Sequence, residues 1–394
     1  MVRFGFRLLP ALTEDGFCWF LASIFASSFA RTGYQIVCAW LLVAGGDGSA
    51  AVANFFLLVS MTELIASPAA GWLADHCNRR KICMVADTAH AAAMICVAMT
   101  QPETATQHVI WISAVLYAVG DRLSLTSSQA MIPTVGITLT LAARNAAVFF
   151  IMQAGALCAA ILVGVMLHAS TASAAFLSLS AAFLAGGLFM AGATSGDRRS
   201  ADPQFPSAVQ AFDQMDVLRI GSLYSLLYST GLIVSVLAAG FVRDELVGTA
   251  LDFGMVEGAW SIGSVIGAIM IARVARSAGL ESIQITCLTL AALSFFVLTL
   301  ASLPSVIGLF VVLGALYNLG RAAAEMQLQS AIPSSHLGRA KGWVHCGCVV
   351  LGLALFASIS LAPKGTGVAA LFQLYAAALV FGTVTFAILG RSRS

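Results

Sequence analysis

Long apolar stretches separated by short polar connections recur from one end of the chain to the other. A helix crosses the ~30 Å hydrocarbon core of a bilayer with about 20 apolar residues. The pattern predicts twelve such spans: 17–43, 50–74, 81–100, 108–133, 143–168, 171–193, 217–241, 250–273, 283–302, 305–332, 341–361 and 368–389. Lys and Arg gather in alternate connections. One set holds Arg3, Arg7, Arg79, Arg80, Lys81, Arg144, Arg198, Arg199, Arg219, Arg273, Arg276, Arg339, Lys341, Arg391 and Arg393, and the other only Arg243 and Lys364. Basic residues are in excess on the cytoplasmic side of a membrane protein, so both termini are expected there. The longest polar connection, 195–216, mixes prolines with charges of both signs, which suits a tethering linker. It divides the chain into halves 1–194 and 217–394. The expected fold is an all-α polytopic membrane protein with twelve transmembrane helices in two pseudo-symmetric six-helix bundles.

Composition narrows the class. The 394 residues are 59% hydrophobic and only 10% charged, with a mean hydropathy of +0.92, whereas a water-soluble domain carries about 25% charged residues. A net charge of +2 gives no reason to expect a nucleic-acid partner; the bilayer is the expected surrounding, and a monomer the expected state. Residues 1–16 hold Arg3, Arg7, Glu14 and Asp15 without a small-residue cleavage pattern, so no separate signal peptide is expected. The nine cysteines are scattered through apolar segments without zinc or redox spacing, and read as small buried hydrophobes. There is no Walker A sequence, no HExxH and no Ser/His/Asp arrangement. An enzyme, a metal and a cofactor are therefore not expected.

The halves repeat one another. "YAVGDRLSLTSSQAMIP" (117–133) aligns without a gap to "YNLGRAAAEMQLQSAIP" (317–333), matching Tyr117/Tyr317, Gly120/Gly320, Gln129/Gln329, Ile132/Ile332 and Pro133/Pro333. Thr32-Gly33 and Thr230-Gly231 give a weaker match. Two parallel helical repeats form a transporter architecture that binds substrate near the midplane. Charge differs at equivalent positions: Asp121 aligns with Arg321, and Arg31 with Ser229.

"GWLADHCNRRKICMVADTAH" (71–90) resembles the signature loop between helices two and three of the major facilitator superfamily, in the form seen in its exporter branch. Gly71, Ala74, Asp75, Arg79, Arg80 and Asp87 match, while His76 and Asn78 depart from the pattern. Residues 240–268 and 331–342 are similar to the corresponding connections of enterobactin exporters and macrolide-efflux proteins. The resemblance implies a gating role for Gly71, Asp75, Arg79, Arg80 and Asp87, with the start of span eleven, near Lys341, as the neighbour of Asp75. It also implies an aspartate near the position of Arg31, so a reversed charge there argues for an anionic substrate. Helix five reads Ala159-Ala160 where antiporters of the superfamily carry a Gly-Pro pair.

An ionisable side chain within a span costs about 2.5–3.5 kcal/mol on insertion scales and marks a functional position by default. Arg31 is either a substrate contact or the partner of Glu63 or Asp121. Asp121 and Arg122 diverge by about 100° around their helix, so one faces a cavity and the other a neighbouring helix. Arg321 and Glu325, four apart, are expected to pair with each other. Tyr34, Gln35, Tyr224, Tyr228 and Asn318 complete the candidate substrate-binding set; Glu63, Asp121 and Glu257 are the candidate proton-coupling carboxylates; Asp87 and His90 are read as serving the gate, and His345 as a packing residue. The expected function is proton-coupled export of a small polar anion, most concretely a carboxylate-type siderophore, across a bacterial inner membrane. Proton-driven multidrug or macrolide-type efflux is the runner-up. Uptake of an anionic metabolite or iron chelate, and a non-transporting sensor or assembly factor, are further alternatives.

Overall fold

In hydrocarbon a backbone finds hydrogen-bond partners only within itself, so a chain this apolar folds as helices. The computed structural model describes residues 16–46, 48–100, 108–136, 139–193, 214–332, 334–363 and 365–391, and among them there are helices and no strands. The first six helices are α1 (Phe17–Ala44), α2 (Gly48–His76), α3 (Arg79–Met99), α4 (His108–Met131), α5 (Leu141–Ala169) and α6 (Ala172–Gly192). They are followed by α7 (Gln214–Gly240), α8 (Ala250–Val274), α9 (Leu280–Leu298), α10 (Leu303–Ala331), α11 (Ser334–Ser360) and α12 (Val368–Arg391). Eleven are long and apolar enough to cross a membrane. The other, α1, has 28 residues, but any 18-residue stretch of it contains Arg31. The expected linker (195–213 of it), Pro333, and Arg3, Arg7, Arg198, Arg199, Lys364 and Arg393 lie outside the described residues.

Local chemistry sets the helix ends. Asn78 accepts from the Lys81 amide at the start of α3, and Thr140 and Thr171 cap α5 and α6 in the same way. Thr249 and Asp252 form a reciprocal capping box on α8. Pro133 lies in a 3-10 turn, Ile132–Thr134, that closes α4. Span eleven begins at Ser334, seven residues before the start read from hydropathy, because helical hydrogen bonding continues past the end of the apolar run. Helix α5 is continuous through Ala159 and Ala160, both fully buried.

The helices sort into two compact units, one holding α1, α3 to α6 and α2 from Phe55 onward, the other holding Gly46–Asn54 and α7 to α12. In the first, α1 packs on α5 and α6, and α3 on α4 and α6. In the second, α7 packs on α11 and α12, and α9 on α10 and α12. The same internal pairings thus recur. The repeated glycine on α4 and α10 does equivalent work: Gly120 admits the His90 ring of α3, and Gly320 admits Leu227 of α7 and Cys287 of α9. Four cysteines, Cys38, Cys83, Cys287 and Cys348, are buried as expected, whereas Cys18, Cys77, Cys96 and Cys346 are exposed.

The closest helix crossing is α8 on α10. A Cβ on Gly263 would strike the Val311 carbonyl, one on Gly267 the Ala315 carbonyl, and one on Gly314 the Trp260 carbonyl. Small residues at such crossings let membrane helices gain dispersion contact. Gly267→Leu is expected to lower stability by about 1–3 kcal/mol through overpacking. Gly308→Leu on the same helix pair, where a Cβ meets nothing within 4 Å, should leave it unchanged. Thermal unfolding in detergent, followed by size-exclusion fluorescence, checks both.

Candidate functional site

The first unit holds a polar core built by helical spacing. On α1, Ser23, Ser27 and Arg31 recur every four residues, and on α4 Asp121, Ser124 and Ser128 recur at three and four, so each set forms one face. Arg31 Nε lies 2.6 Å from Asp121 Oδ1, with side-chain exposures of 17% and 9%. The contact is charge to charge, because the N–H does not point along the hydrogen-bond direction. Asp87, reaching in from α3, accepts from Ser27 (2.8 Å) and Ser124 (3.3 Å). Beside it His90 Nε2 donates to the Tyr117 carbonyl at 3.0 Å. The serine face, Arg31 and Gln129 line a cleft of about 20 Å³, room for roughly one water molecule. The hydroxyl of Ser23, at the edge of that cleft, has no hydrogen-bond partner among the described residues.

Arg122, the next residue on α4, turns the other way. Its Nε donates to Ser67 on α2 at 2.7 Å, and Ser67 in turn donates to the Glu63 carbonyl at 2.6 Å. No carboxylate lies within ion-pair distance of Arg122 among the described residues, although Glu63 is near enough to act on it electrostatically. Pro68 follows directly, removing one amide from the α2 ladder. The half-buried carboxylate of Glu63 has neither a hydrogen bond nor an ion pair among the described residues.

At the end of α2 the basic loop braces helix C-termini. Arg79 donates to the Ala74 carbonyl on α2 and the Ala130 carbonyl on α4, both at 2.9 Å, and Arg80 to the Ala193 carbonyl after α6 at 3.3 Å. Arg144 does the same for Ile132, Pro133 and Val135 after α4. Cations belong at these negative dipole ends. Asp75 is 74% exposed and 3.9 Å from Arg79, and Gly71 faces open space.

In the second unit, Glu325 Oε2 pairs with Lys341 on α11 at 2.8 Å, and Tyr224 donates to Glu325 Oε1 at 3.3 Å. Arg321 turns instead toward Tyr317, with Nη1 3.4 Å from its hydroxyl and the guanidinium 5.8 Å from its ring centre. Glu257 is half-buried on α8, and no charged group stands beside its carboxylate among the described residues. Arg219 and Glu281 tie α7 to α9 at 2.7 Å.

Several expectations change against this geometry. Arg321 and Glu325 do not pair: both Tyr317 and Glu325 lie one turn from Arg321, and Lys341 on the adjacent helix takes the carboxylate. Of the alternatives for Arg31, pairing with Asp121 is the one observed. Asp87 and His90 are 1% and 2% exposed and belong to the bundle core, away from the other gating candidates. Tyr34 is fully buried, stacked on Tyr117 at 4.4 Å with its hydroxyl against Ser113 at 2.8 Å, so it packs the core in this arrangement. Gln35 donates to Tyr117 at 3.3 Å, Asn318 is buried, and Tyr228 packs half-buried beside Ile220 and Leu328. His345 is exposed. Sequence reasoning missed Ser27, Ser67 and Ser124 as partners of charge; the four-residue spacing of serine with Arg31 was the available signal.

A bundle of membrane helices with ion pairs and hydroxyl networks inside it is the architecture of a polytopic transporter. The chain belongs to the Major Facilitator Superfamily, whose model matches residues 19–355. Comparison with curated protein sequences finds no match. Among solved structures, the chain is similar to a POT family transporter in complex with a thioalcohol-conjugated peptide (11% identity, 96% of each chain covered, TM-score 0.75). A bacterial homologue of the iron transporter ferroportin in its inward-facing state is likewise similar (16% identity, 94% of this chain and 98% of that one, TM-score 0.74). So is the nucleoside transporter NupG (12% identity, 94% and 98%, TM-score 0.69). At such identities the likeness is one of fold. Family and fold make the protein a transporter, not an enzyme.

Asp121→Asn is expected to destabilise the first unit by about 3–5 kcal/mol, since it leaves a largely buried guanidinium unpaired. Arg31→Gln combined with Asp121→Asn should recover most of that loss. Melting temperatures of the single and double variants in one detergent check this, and additive losses would contradict it.

Proposed function

We propose that the protein is a secondary active transporter that exports a small polar anion, a carboxylate-type siderophore or a similar metabolite, across a bacterial inner membrane. It works as a monomer by alternating access, with protons coupled and both termini in the cytoplasm. The observation that carries this reading is the state of the intramembrane arginines. Arg31 is neutralised by Asp121, but Arg122 and Arg321 are half-buried, and among the described residues their guanidinium hydrogen bonds go to hydroxyls, those of Ser67 and Tyr317. A hydroxyl satisfies an N–H without balancing the charge. A carboxylate offers the guanidinium a charge-assisted, bidentate contact, so an anion is the ligand these two residues favour. Glu63 and Glu257, carboxylates without a bonded partner among the described residues, suit proton uptake and release. An isolated carboxylate also attracts cations, and Glu257 is the observation that favours proton-driven efflux of amphipathic or cationic drugs as a second reading.

Comparing cells with and without the gene under low iron tests the first reading directly: secretion of a carboxylate metabolite should fall without it. Unchanged secretion of every such metabolite would remove the siderophore version. Arg122→Ala and Arg321→Ala should each lower export about 10- to 100-fold at unchanged protein level, the value of a hydrogen bond to a charged group. If drug resistance is instead what the protein confers, both variants should retain it. In proteoliposomes, Glu63→Gln or Glu257→Gln is expected to abolish the response of transport to an imposed pH gradient, while exchange of substrate without a gradient continues.

A further inference from the structure

A groove of about 520 Å³ runs along the outer face of the first unit, a volume in the range of small-molecule pockets, about 300–1,000 Å³. Its walls are Leu73 and Cys77 at the end of α2, Val85 and Ala89 of α3 and Leu116 and Val119 of α4, and Gly120 adds no side chain to narrow it. Val85 is 69% exposed and Leu116 57%, so the groove opens on the surface of this unit. One end carries Asn78 and Lys81. From Lys81 to Ala89 the helix rises about 12 Å, a distance that fits within one leaflet of the ~30 Å hydrocarbon core.

Lys81 is the informative residue. It is the third cation in a run whose first two are engaged: Arg79 and Arg80 hold the carbonyls of Ala74, Ala130 and Ala193. The Lys81 side chain is exposed and has no acceptor among the described residues, and only its backbone amide is bound, by Asn78. It also stands in the first turn of α3, where the helix dipole disfavours a cation. Helix stability therefore does not account for it. Next to Leu73, which lines the groove, Trp72 is 59% exposed and stacked on His76 at 4.7 Å, and tryptophans of this kind mark the level of the headgroups. An apolar slot one leaflet deep, with a free ammonium at headgroup level, matches a particular molecule.

We propose that this groove binds an anionic phospholipid, one acyl chain lying between α3 and α4 and the phosphate resting on Lys81. The ammonium supplies the headgroup preference and the groove the retention.

A photoactivatable phosphatidylglycerol, with its diazirine in the acyl chain, tests the assignment on the full-length protein in nanodiscs. A phosphatidylcholine probe with the same chain serves as reference, and cross-linked peptides are mapped by mass spectrometry. The glycerol lipid should label 77–89 and 115–123 about fivefold more than the choline lipid, the preference expected of one basic residue at a membrane surface. Lys81→Glu should abolish that preference, and Ala89→Trp, which fills the groove and leaves the charge, should remove labelling of these segments by both probes. Should Lys81→Glu fail to elute as a folded monodisperse species, Lys81→Gln carries the same expectation of a lost preference. Labelling spread evenly over the lipid-facing helices, equal labelling by the two headgroups, or a preference that survives the charge substitutions would overturn the proposal.

Discussion

A charge inside hydrocarbon has to be met by another charge or by hydrogen bonds, and in the first unit the Arg31–Asp121 contact at 2.6 Å answers that demand. The surrounding polar core is organised with it. Because Arg31 sits at the centre of α1, the serines one and two turns away face α4 as well. Because Asp121 is on α4, Ser124 and Ser128 share its face. Asp87 then finds Ser27 and Ser124 within reach from α3. A buried pair of this kind adds little net stability over an apolar substitute, since desolvation offsets much of the attraction. The pair joins α1 to α4, and Asp87, accepting from a serine of each, adds α3 to the same polar core.

The same demand separates the other arginines. Arg79, Arg80 and Arg144 sit where helices end, and carbonyls left without intrahelical amides accept from them. Those contacts brace the ends of α2, α4 and α6. Among the described residues Arg122 and Arg321 donate to hydroxyls and have no carboxylate in an ion pair. In a low-dielectric setting a cation held this way remains receptive to an anion, and this makes them more informative about substrate than the more conspicuous Arg31. Lys81 differs again: its exposed ammonium has no acceptor among the described residues and stands at the edge of a surface groove.

Glycine plays two parts in the packing. The α8–α10 crossing relies on backbone contact at Gly263, Gly267 and Gly314, while Gly120 and Gly320 repeat one function, making room for a side chain of the preceding helix. The repeat visible between 117–133 and 317–333 is thus a repeat of packing, and the charged residues within it have diverged. Asp121 neutralises Arg31, whereas the aligned Arg321 leans on Tyr317.

The number of helices, their places in the chain, the repeated segment and the superfamily were legible from residues alone, because each depends on local hydropathy, on spacing or on a contiguous motif. Helix ends were legible where a cap or proline marked them, as at Asn78 and Pro133, and missed at Ser334, where no change of hydropathy accompanies the start. The partners of the buried charges were not legible. Arg321 has Tyr317 and Glu325 each one turn away, and Arg31 had two carboxylates to choose between on neighbouring helices; helical periodicity assigns a face and says nothing about what stands opposite it. Tertiary packing decided those pairings, gave Glu325 to Lys341 and drew Asp87 into the core. An ion pair requires two side chains to meet within about 4 Å, and across helices far apart in the chain only the folded arrangement sets that distance.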